Sequence, residues 1–539
     1  MTGGLPVDAG SFLELRARGS VWRRGPTFEG SRTVASSTPV RLSSSRPRPP
    51  GTRAVLMVVK GGGDDVVTRA PEVILDEAHE QIVERVCAID VAKDSGKVCV
   101  RVPAESGSGR RVSKVWDVPA RTKAVIELGD HLACQGIQKV TVESTSDYWR
   151  IWFYLLEARG LDVQLVNARD VKNVPGRPKT DKLDSIWLAK LTEKGLLRPS
   201  FVPPRQIRVL RDYTRLRVDL TAERTRHWQR LEKLLEDALI KITAVASRID
   251  LVSVREMIEA LIAGQRNPRI LAGMARGRMR LKHADLVEAL TGQFDDHHAE
   301  LARMLLDQID ALTVQIDTLT ERIDVVLADI PAPAPQPEPD PDDHGPGTSD
   351  DAEVTAVIRP SHGGAPRPRT AARAVTALDL VDILDEIPGV GRHNAHEIIA
   401  EIGLEMTRFP TAGHLVSWAK LCPRTIQSGA KSSAGKTGKG NRYLRAVLGD
   451  AAAGAAKTQT FLGDRYRRLI KRRGKLKALV AVARSILVII WNLLANPGMH
   501  YIDLGVDFHT KRMDTEQRTR NHIRQLEALG YTVTLTAAA

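Results

Sequence analysis

The sequence has few cysteines and lacks an uninterrupted membrane segment. Its four cysteines include no CxxC pair, so the sequence predicts neither a disulfide framework nor a structural zinc site. The one long apolar run, residues 478–495, contains Arg484, Ser485 and Asn492, which favours a buried helix over a membrane span. The N-terminal region also lacks the apolar core of a signal peptide. We therefore expect a protein of the reducing cytoplasm that makes no membrane contact.

Positive charge is unevenly distributed along the chain. The 539 residues include 79 Lys and Arg against 65 Asp and Glu, a formal net charge of +14 at pH 7. Residues 420–477 alone contain 16 Lys and Arg and 2 acidic residues, which is also a net charge of +14. This balance favours a polyanionic partner over an acidic small molecule, and nucleic acid is the first candidate.

The chain is too long for a single core, and changes in composition divide it into six predicted segments. Residues 1–80 are rich in Gly, Ser, Pro and Arg without helical or strand periodicity, and residues 331–375 are rich in Pro, Asp and Gly. The predicted segments are a disordered basic N-terminal extension (1–80), an α/β domain (81–204), a helical coiled-coil region (205–330), a linker (331–375), a mostly helical C-terminal domain (376–500) and a C-terminal tail (501–539).

Alternating strand and helix patterns predict the α/β domain. Two apolar runs, 86–91 and 98–102, flank a turn at 94–97 and indicate a hairpin. Further along, the pattern predicts helices at 122–135, 148–159 and 179–197 and strands at 139–143 and 163–166. Such alternation is typical of a sheet covered by helices.

A second periodicity predicts the coiled coil. Apolar residues recur four and three apart through the end of the helical region, which is the spacing of a coiled-coil seam. These residues are Leu305, Ile309, Leu312, Ile316, Leu319, Ile323 and Val326.

Four acidic residues stand at positions that suggest a shared site. Asp90 lies in the middle of an apolar strand, where a carboxylate is costly to bury without compensation. Glu143 ends a second strand, and Asp181 and Asp184 share one helical face. Four carboxylates in one pocket repel one another, and either protonation or divalent cations must relieve that repulsion. Hard oxygen ligands favour Mg²⁺ or Mn²⁺. Two such ions about 4 Å apart promote phosphoryl transfer on nucleic acid.

Each of these acids has a simpler interpretation when it is taken alone. The helix dipole favours acidic residues at a helix N-terminus, which would account for Asp181 and Asp184. Glu143 would then simply be the last residue of a strand. The acidic residues nearby that compete for the same role are Asp94, Asp147 and Asp170. The joint order of strand Asp, strand-end Glu and late Asp-x-x-Asp helix, which is an RNase H-like order, favours the metal site.

The C-terminal domain opens with a glycine turn. Ile387-Pro388-Gly389-Val390-Gly391, followed by an apolar helical pattern, is similar to a helix-hairpin-helix, in which backbone N–H groups approach a DNA phosphate. Gly389 and Gly391 are therefore candidate nucleic-acid contacts. A simple tight turn between two helices remains the alternative.

The motifs further along the C-terminal domain resemble a known family. Gln427-Ser428-Gly429 is followed by the basic, glycine-rich stretch Lys436-Thr437-Gly438-Lys439-Gly440 and by Asn441-Arg442-Tyr443-Leu444-Arg445. Together with the order of the acidic residues, these motifs resemble the transposases of the insertion-sequence 110 family, also called DEDD transposases or bridge-RNA-guided recombinases. The resemblance covers about residues 82–197 and 387–491, and it implies an RNase H-like (RuvC-like) α/β domain, a coiled coil and a helical serine transposase domain.

The resemblance also implies site residues and partners. By position, Asp90, Glu143, Asp181 and Asp184 match the family's acidic tetrad, and Ser428 matches the serine that attacks DNA. It implies double-stranded donor and target DNA, a structured non-coding guide RNA, a dimer or tetramer at the synapse, and a bacterial, nucleoid-associated location. Ser432 and Ser433 are competing nucleophiles. The expected phosphate contacts are Lys436, Lys439, Arg442 and Arg445.

Two other functions remain open at this point. One is a metal-dependent, RuvC-like Holliday-junction endonuclease, in which the acidic site cuts DNA and the C-terminal domain only binds it. The other is a nucleic-acid-binding protein with an inactive catalytic shell, which would bind DNA in a salt-sensitive way without cutting it. A covalent linkage between the protein and DNA would distinguish the serine transposase from both of these alternatives.

Overall fold

The structure is a computed structural model. It describes residues 83–104, 110–144, 146–168, 181–334, 354–360, 375–429, 431–509 and 515–534. The predicted extension at 1–80, much of the predicted linker, and Asp170 lie outside the described residues.

The first folded region is a mixed α/β unit. Its elements are β1 (Val86–Val91), β2 (Ser95–Pro103), β3 (Arg111–Pro119), α1 (Thr122–Cys134), β4 (Lys139–Ser144), α2 (Trp149–Glu157), β5 (Val163–Asn167) and α3 (Asp181–Glu193). The strands form one sheet in the order β3-β2-β1-β4-β5, in which β1, β4 and β5 are parallel and β2 and β3 are antiparallel. The predicted α/β sheet is confirmed, and its topology is consistent with an RNase H-like fold.

The two faces of this sheet are covered by different helices. Cys87 and Ile89 of β1 belong to a core shared with α1 and α2, which includes Trp152. Val86 and Ala88 belong to a second core, shared with α3. Because successive side chains of a strand point to opposite faces, Asp90 lies on the face that α3 covers.

A helical region follows the sheet. Its helices are α4 (Arg205–Asp237), α5 (Val252–Ile262), α6 (Pro268–Gly273), α7 (His283–Ala289) and α8 (Asp296–Asp329), with 3-10 turns at Ile242–Ala244 and Gly277–Lys282. The beginning of α4 shares a core with the end of α8, and the end of α4 shares another with the beginning of α8, so these two long helices pack antiparallel. Four residues of the predicted seam are buried here, namely Ile309, Leu312, Ile316 and Ile323. The supercoil itself stays a prediction.

The C-terminal region is mostly helical, with two small sheets. Its elements are β6 (Ile358–Pro360), α9 (Ala377–Asp385), α10 (Arg392–Ile402), a 3-10 turn (Met406–Arg408), α11 (Ala412–Trp418), β7 (Pro423–Ser428), β8 (Lys431–Thr437), α12 (Arg442–Ala455), α13 (Phe461–Arg473), α14 (Lys475–Ala495), β9 (Met499–Tyr501) and α15 (Thr515–Ala528). β6 pairs antiparallel with β9, and β7 with β8. Val354 and Val357, within the predicted linker range, are buried in the C-terminal core.

The apolar helix α14 forms the centre of this C-terminal core. By length and composition it is the one candidate membrane span among the described residues. Most of its apolar side chains are buried against neighbouring helices, with Ile486, Ile489 and Ile490 fully enclosed. Burial on all sides explains an apolar sequence without a membrane, in agreement with the predicted buried helix.

Candidate active site

Two of the predicted acids lie side by side on the sheet. Asp90 of β1 and Glu143 of β4 are register partners on adjacent parallel strands, each one residue before its strand ends. Neighbouring strands lie about 4.8 Å apart, so the two side chains leave the sheet on the same face. Glu143 is only 4% exposed. Strand register alone therefore pairs these two carboxylates at the carboxyl edge of the sheet.

Helix α3 is anchored so that it begins at this same edge. Near its end, the Thr192 hydroxyl donates to Thr141 Oγ1 at 2.7 Å, and Glu193 pairs with Arg111 of β3 at 2.7 Å. These contacts hold the end of α3 near the beginning of β4, so the helix runs back across the sheet towards the strand ends. Asp184 lies about 12 Å along the helix from Thr192.

All four predicted acids are thus on elements that meet at one edge. Asp181 is the first residue of α3, and Asp184, one turn later, is partly exposed. Of the competing acids, Asp94 is exposed in the turn between β1 and β2. Asp147 is exposed and pairs with Arg150 at 3.5 Å. Both are accounted for as surface carboxylates.

Sequence reasoning missed a lysine in this site. Lys97 of β2 is the register partner of Asp90 on the other side of β1. Its Nζ lies 2.6 Å from Asp117, its own register partner on β3. A row of alternating charge therefore crosses the sheet beside the paired acids. The predicted hairpin around 94–97 contained the signal, because pairing β1 with β2 across a short turn places Lys97 opposite Asp90.

Ser428 lies on a β-hairpin that the sequence did not predict. It is the last residue of β7 and pairs with Lys431 across a two-residue turn. Gly429 in that turn has a φ of +57°, which glycine adopts without strain. The competing Ser432 and Ser433 lie on β8, opposite Gln427 and Ile426. The backbone therefore places Ser428 next to the tip, one step nearer to it than Ser432 and two steps nearer than Ser433.

A cavity of about 910 Å³ lies between the sheet and the hairpin. Its lining includes Asn167 at the end of β5 and Ile426 of β7. Three basic residues also line it, namely Arg198, Lys420 and Lys439. Since Asn167 pairs with Ser144, the residue after Glu143, the cavity begins one strand away from the acidic pair. The basic cavity therefore reaches from the strand next to Glu143 to the strand of Ser428, and the lining residues that the structure describes include neither the four acids nor Ser428 itself.

The other predicted phosphate contacts cluster after the hairpin. Lys436 belongs to β8, and Lys439 is exposed in the loop that follows. Arg442 and Arg445 are exposed in the first turn of α12. Together with the cavity lining, they give this end of the C-terminal region a concentrated positive charge that suits a phosphate backbone.

The two glycines of the predicted helix-hairpin-helix differ in their surroundings. Gly389 joins α9 to α10 with a φ of +90°, and a Cβ there would lie 2.1 Å from the Ala451 carbonyl oxygen of α12. Gly391 is the N-cap of α10, and no atom lies within 4 Å of the position of its Cβ. Gly389 is therefore required by packing, whereas Gly391 faces open space. The DNA-binding role of the motif stays a prediction.

A separate group of possible metal ligands occurs in the helical region. Asp237, His297 and His298 place one ligand atom each within 4.8 Å of one another. However, His298 Nδ1 accepts the Asp295 backbone N–H at 3.1 Å, as part of the cap of α8. A neutral His298 then carries its proton on Nε2, the nitrogen that faces Asp237 at 3.5 Å. The cap thus competes with metal binding at His298 and accounts for the position of that residue.

Comparison with known families matches both regions of the candidate site. Residues 87–240 match the family model DEDD_Tnp_IS110, described as a transposase. Residues 381–467 match a second model, described as the transposase IS116/IS110/IS902 family. The two matches together cover a little less than half of the chain and include Asp90, Glu143 and Ser428. A search of curated proteins found no match.

Proposed function

The chain belongs to the IS110 family of transposases, enzymes that act on DNA, and from that premise we propose that it cuts and rejoins DNA through a covalent phosphoserine at Ser428. The element that it moves is a bacterial insertion sequence. Its basic charge, concentrated around the hairpin, supports contact with the DNA backbone. We propose a cytoplasmic, nucleoid-associated location for the same reason.

The acidic tetrad fits a divalent cation. Asp90, Glu143, Asp181 and Asp184 offer only carboxylate oxygens, the donors that Mg²⁺ and Mn²⁺ prefer. Glu143 is buried beside Asp90, and such a pair needs positive charge nearby to stay ionised. We propose that these four residues hold Mg²⁺, or Mn²⁺ in its place. When bound, the metal activates an attacking oxygen and stabilises the leaving oxygen.

The proposed chemistry of Ser428 conserves the energy of the phosphodiester. The serine oxygen forms a bond to phosphorus and loses its proton, while the bond from phosphorus to a deoxyribose oxygen breaks and that oxygen takes up a proton. The hydroxyl of a second DNA strand then attacks the phosphoserine and releases the serine. No nucleotide triphosphate is consumed. Arginines near the phosphate assist, since a neutral serine hydroxyl is a weak nucleophile.

The observation that carries this proposal is the shared cavity. Asn167, beside the acidic edge of the sheet, and Ile426, on the strand of Ser428, line the same space. Its basic residues suit a DNA phosphate that both half-sites must reach. This arrangement supports a reaction in which the acids and the serine act on one strand.

The remaining parts of the proposal concern partners and domains. We propose that a structured guide RNA selects the donor and target, that two or four subunits assemble at the synapse, and that the predicted coiled coil and helix-hairpin-helix take part in assembly and DNA contact. The proposed RuvC-like domain spans 81–204, the coiled-coil region 205–330 and the serine transposase domain 376–500. Lys436, Lys439, Arg442 and Arg445 are the proposed phosphate contacts.

Trapping of a covalent adduct tests the proposal. The full chain, RNA transcribed from the flanks of its element, and labelled target DNA are incubated with Mg²⁺ and analysed under denaturing conditions. We expect an adduct that is absent with Ser428→Ala and retained with Ser433→Ala, the matched serine on the opposite strand. An adduct that persists in Ser428→Ala, or depends instead on Ser433, would overturn the assignment of the nucleophile.

A metal-dependent Holliday-junction endonuclease is the second candidate. It is favoured by the placement of Asp90 and Glu143, which are paired by sheet register without any contribution from the C-terminal region. In that case DNA cleavage survives Ser428→Ala and disappears with Asp90→Asn. The same gel therefore separates the two functions. Salt-sensitive binding without cleavage would instead indicate an inactive nucleic-acid-binding protein.

A further inference from the structure

A buried glutamate lies behind the wall of the cavity. Glu401, near the end of α10, is only 1% exposed. Its Oε1 accepts from Arg215 Nε at 2.8 Å, and its Oε2 accepts from Arg215 Nη2 at 3.0 Å. Arg215 lies on α4, so this bidentate pair joins the long helix to the C-terminal region. Arg211, one turn earlier, donates to the backbone oxygens of Ala400 and Glu401 at 2.9 and 2.8 Å.

The same carboxylate also holds a residue of the cavity lining. Glu401 Oε2 accepts a hydrogen bond from Asn441 Nδ2. Asn441 Oδ1 in turn accepts the backbone N–H groups of Tyr443 and Leu444, at 3.0 and 3.3 Å, and so caps α12. Arg215 also lies over the Tyr443 ring, 4.7 Å from its centre. One side chain of α4 therefore reaches the cap of α12 through a single buried carboxylate.

The loop 438–441, which ends in Asn441, is also held by close packing against the residues beneath it. A Cβ at Gly440 would lie 2.4 Å from the Ala419 carbonyl oxygen, so this loop packs directly on the backbone. Lys420 beneath it has a φ of +59°, an unfavourable conformation for a residue with a side chain. Such strain persists only where the surroundings enforce it. The wall is thus tightly packed, and on its buried side Glu401 is the carboxylate that contacts Asn441.

We propose that Glu401 is a positioning residue for the reaction: its carboxylate, oriented by Arg215, fixes Asn441 and thereby the shape of the cavity wall that receives the DNA phosphate. The activity part of this inference rests on the proposed function, whereas the placement of the loop does not. A carboxylate is required because both oxygens face donors. A glutamine at this position would turn its own NH₂ group towards Arg215 or Asn441.

Hydrogen exchange in Glu401→Gln tests the placement of the loop. In the full-length protein we expect the backbone amides of Tyr443 and Leu444 to exchange at least tenfold faster than in the wild type, because their cap is released. The matched control is Glu259→Gln, since Glu259 of α5 also accepts from two arginines, Arg255 and Arg303, in the helical region. Unchanged protection in Glu401→Gln, or an equal loss in the control, overturns the proposal.

Adduct kinetics test the role in the reaction. We expect Glu401→Gln to slow adduct formation at saturating DNA at least tenfold, while the DNA concentration for half-saturation changes less than threefold. Asn441→Ser keeps a capping oxygen but is too short to reach Glu401, so it should reproduce the defect, and the double variant should be no slower than either single variant. The positioning role is overturned if the rate defects of the two single variants multiply in the double variant. It is also overturned if Glu401→Gln reacts at the wild-type rate although its Tyr443 and Leu444 amides exchange faster.

Two results separate this inference from the function on which it rests. If the wild-type protein forms no adduct, the proposed function fails, and exchange at Tyr443 and Leu444 still decides whether Glu401 holds the loop. If Glu401→Gln does not fold, Asn441→Ser decides the positioning role through the rate of adduct formation, and a wild-type rate in that variant overturns the proposal.

Discussion

The two halves of the candidate site are supported in different ways. Asp90 and Glu143 lie on adjacent strands inside a five-stranded sheet, directly after the fully buried Ile89 and Val142. Ser428 lies beside the tip of a two-stranded hairpin, on which Ile426 is 57% exposed. Backbone register is enough to place the acids, whereas the serine depends on what packs around its hairpin. We therefore expect the acidic half to be preformed and the serine half to be sensitive to its supports.

The largest expected effect comes from breaking the acidic half. Asp90→Asn removes one charge from the pair without changing its volume, and we expect cleavage with Mg²⁺ to fall by about 10³-fold or more, because the metal loses a ligand. Asp94→Asn, in the nearby exposed turn, should change the rate less than about threefold, as a surface substitution. The measurement is single-turnover cleavage, with thermal unfolding to confirm the fold. More than a tenth of wild-type activity in Asp90→Asn would remove it from the metal site.

The next effect concerns the scaffold beneath the serine half. Gly389→Ala places a methyl group against the Ala451 carbonyl oxygen at a positive φ, and should lower the free energy of unfolding by about 3 kcal/mol or more. Gly391→Ala meets open space at a φ of −73° and should cost less than about 1 kcal/mol. Urea unfolding measures both. Equal losses would show that the packing of Gly389 on α12 does not limit stability.

A buried cluster of charged and titratable side chains connects the long helices to the serine half, and its contribution to the free energy of unfolding should depend on pH. His396 of α10 lies between Arg217 of α4, at 3.1 Å, and Asp324 of α8, at 3.2 Å. Burial, reinforced by Arg217, lowers the pKa of His396 to about 3. Burial raises the pKa of the adjacent Glu397 to about 7. Two neighbouring groups therefore shift in opposite directions.

The signs of the two stability effects are opposite as well. His396 stabilises the folded state above pH 6.5, and this contribution is lost as the pH falls, by about 2 kcal/mol between pH 7 and 5. Glu397 binds its proton more tightly when folded, so its contribution is present at low pH and is lost as the pH rises from 4.5 to 7. We expect the stability of His396→Gln relative to wild type to improve on acidification, and that of Glu397→Gln to worsen. The measurement is urea unfolding of each variant and the wild type at pH 7 and pH 5. If the stabilities of both variants relative to the wild type changed in the same direction, this expectation would be contradicted.

The smallest expected effect lies at the hairpin tip. Gly429→Ala forces a side chain into a left-handed conformation at a cost of about 1 kcal/mol. In a chain of this size such a cost lowers the unfolding temperature by only about 2 °C, while adduct formation should slow about fivefold as the tip is displaced. Gly429→Asn is the matched control, since asparagine tolerates this conformation. If both variants react at the wild-type rate, the tip does not need to be rigid.

Sequence patterns predicted the strands of the acidic half well and those of the serine half poorly. The strands of Asp90 and Glu143 consist of apolar runs, and the predicted bounds agree closely with those of β1 and β4. The strands of the hairpin contain Ile426 as their one large apolar residue, so no period of two could reveal them. Lys97 was missed because its position opposite Asp90 depends on strand pairing. Glu401 was missed because its partner Arg215 lies 186 residues away.

The sequence by itself determined the α/β order, the four acids, the basic C-terminal segment and the family resemblance, because periodicity, composition and motifs are local properties of the chain. Tertiary structure alone decided that Asp90 and Glu143 are register partners, that Asn167 and Ile426 line one cavity, and that Glu401 joins α4 to the loop 438–441. These contacts join residues that are far apart in sequence. They form only when buried apolar surfaces bring separate elements together, so no local pattern encodes them.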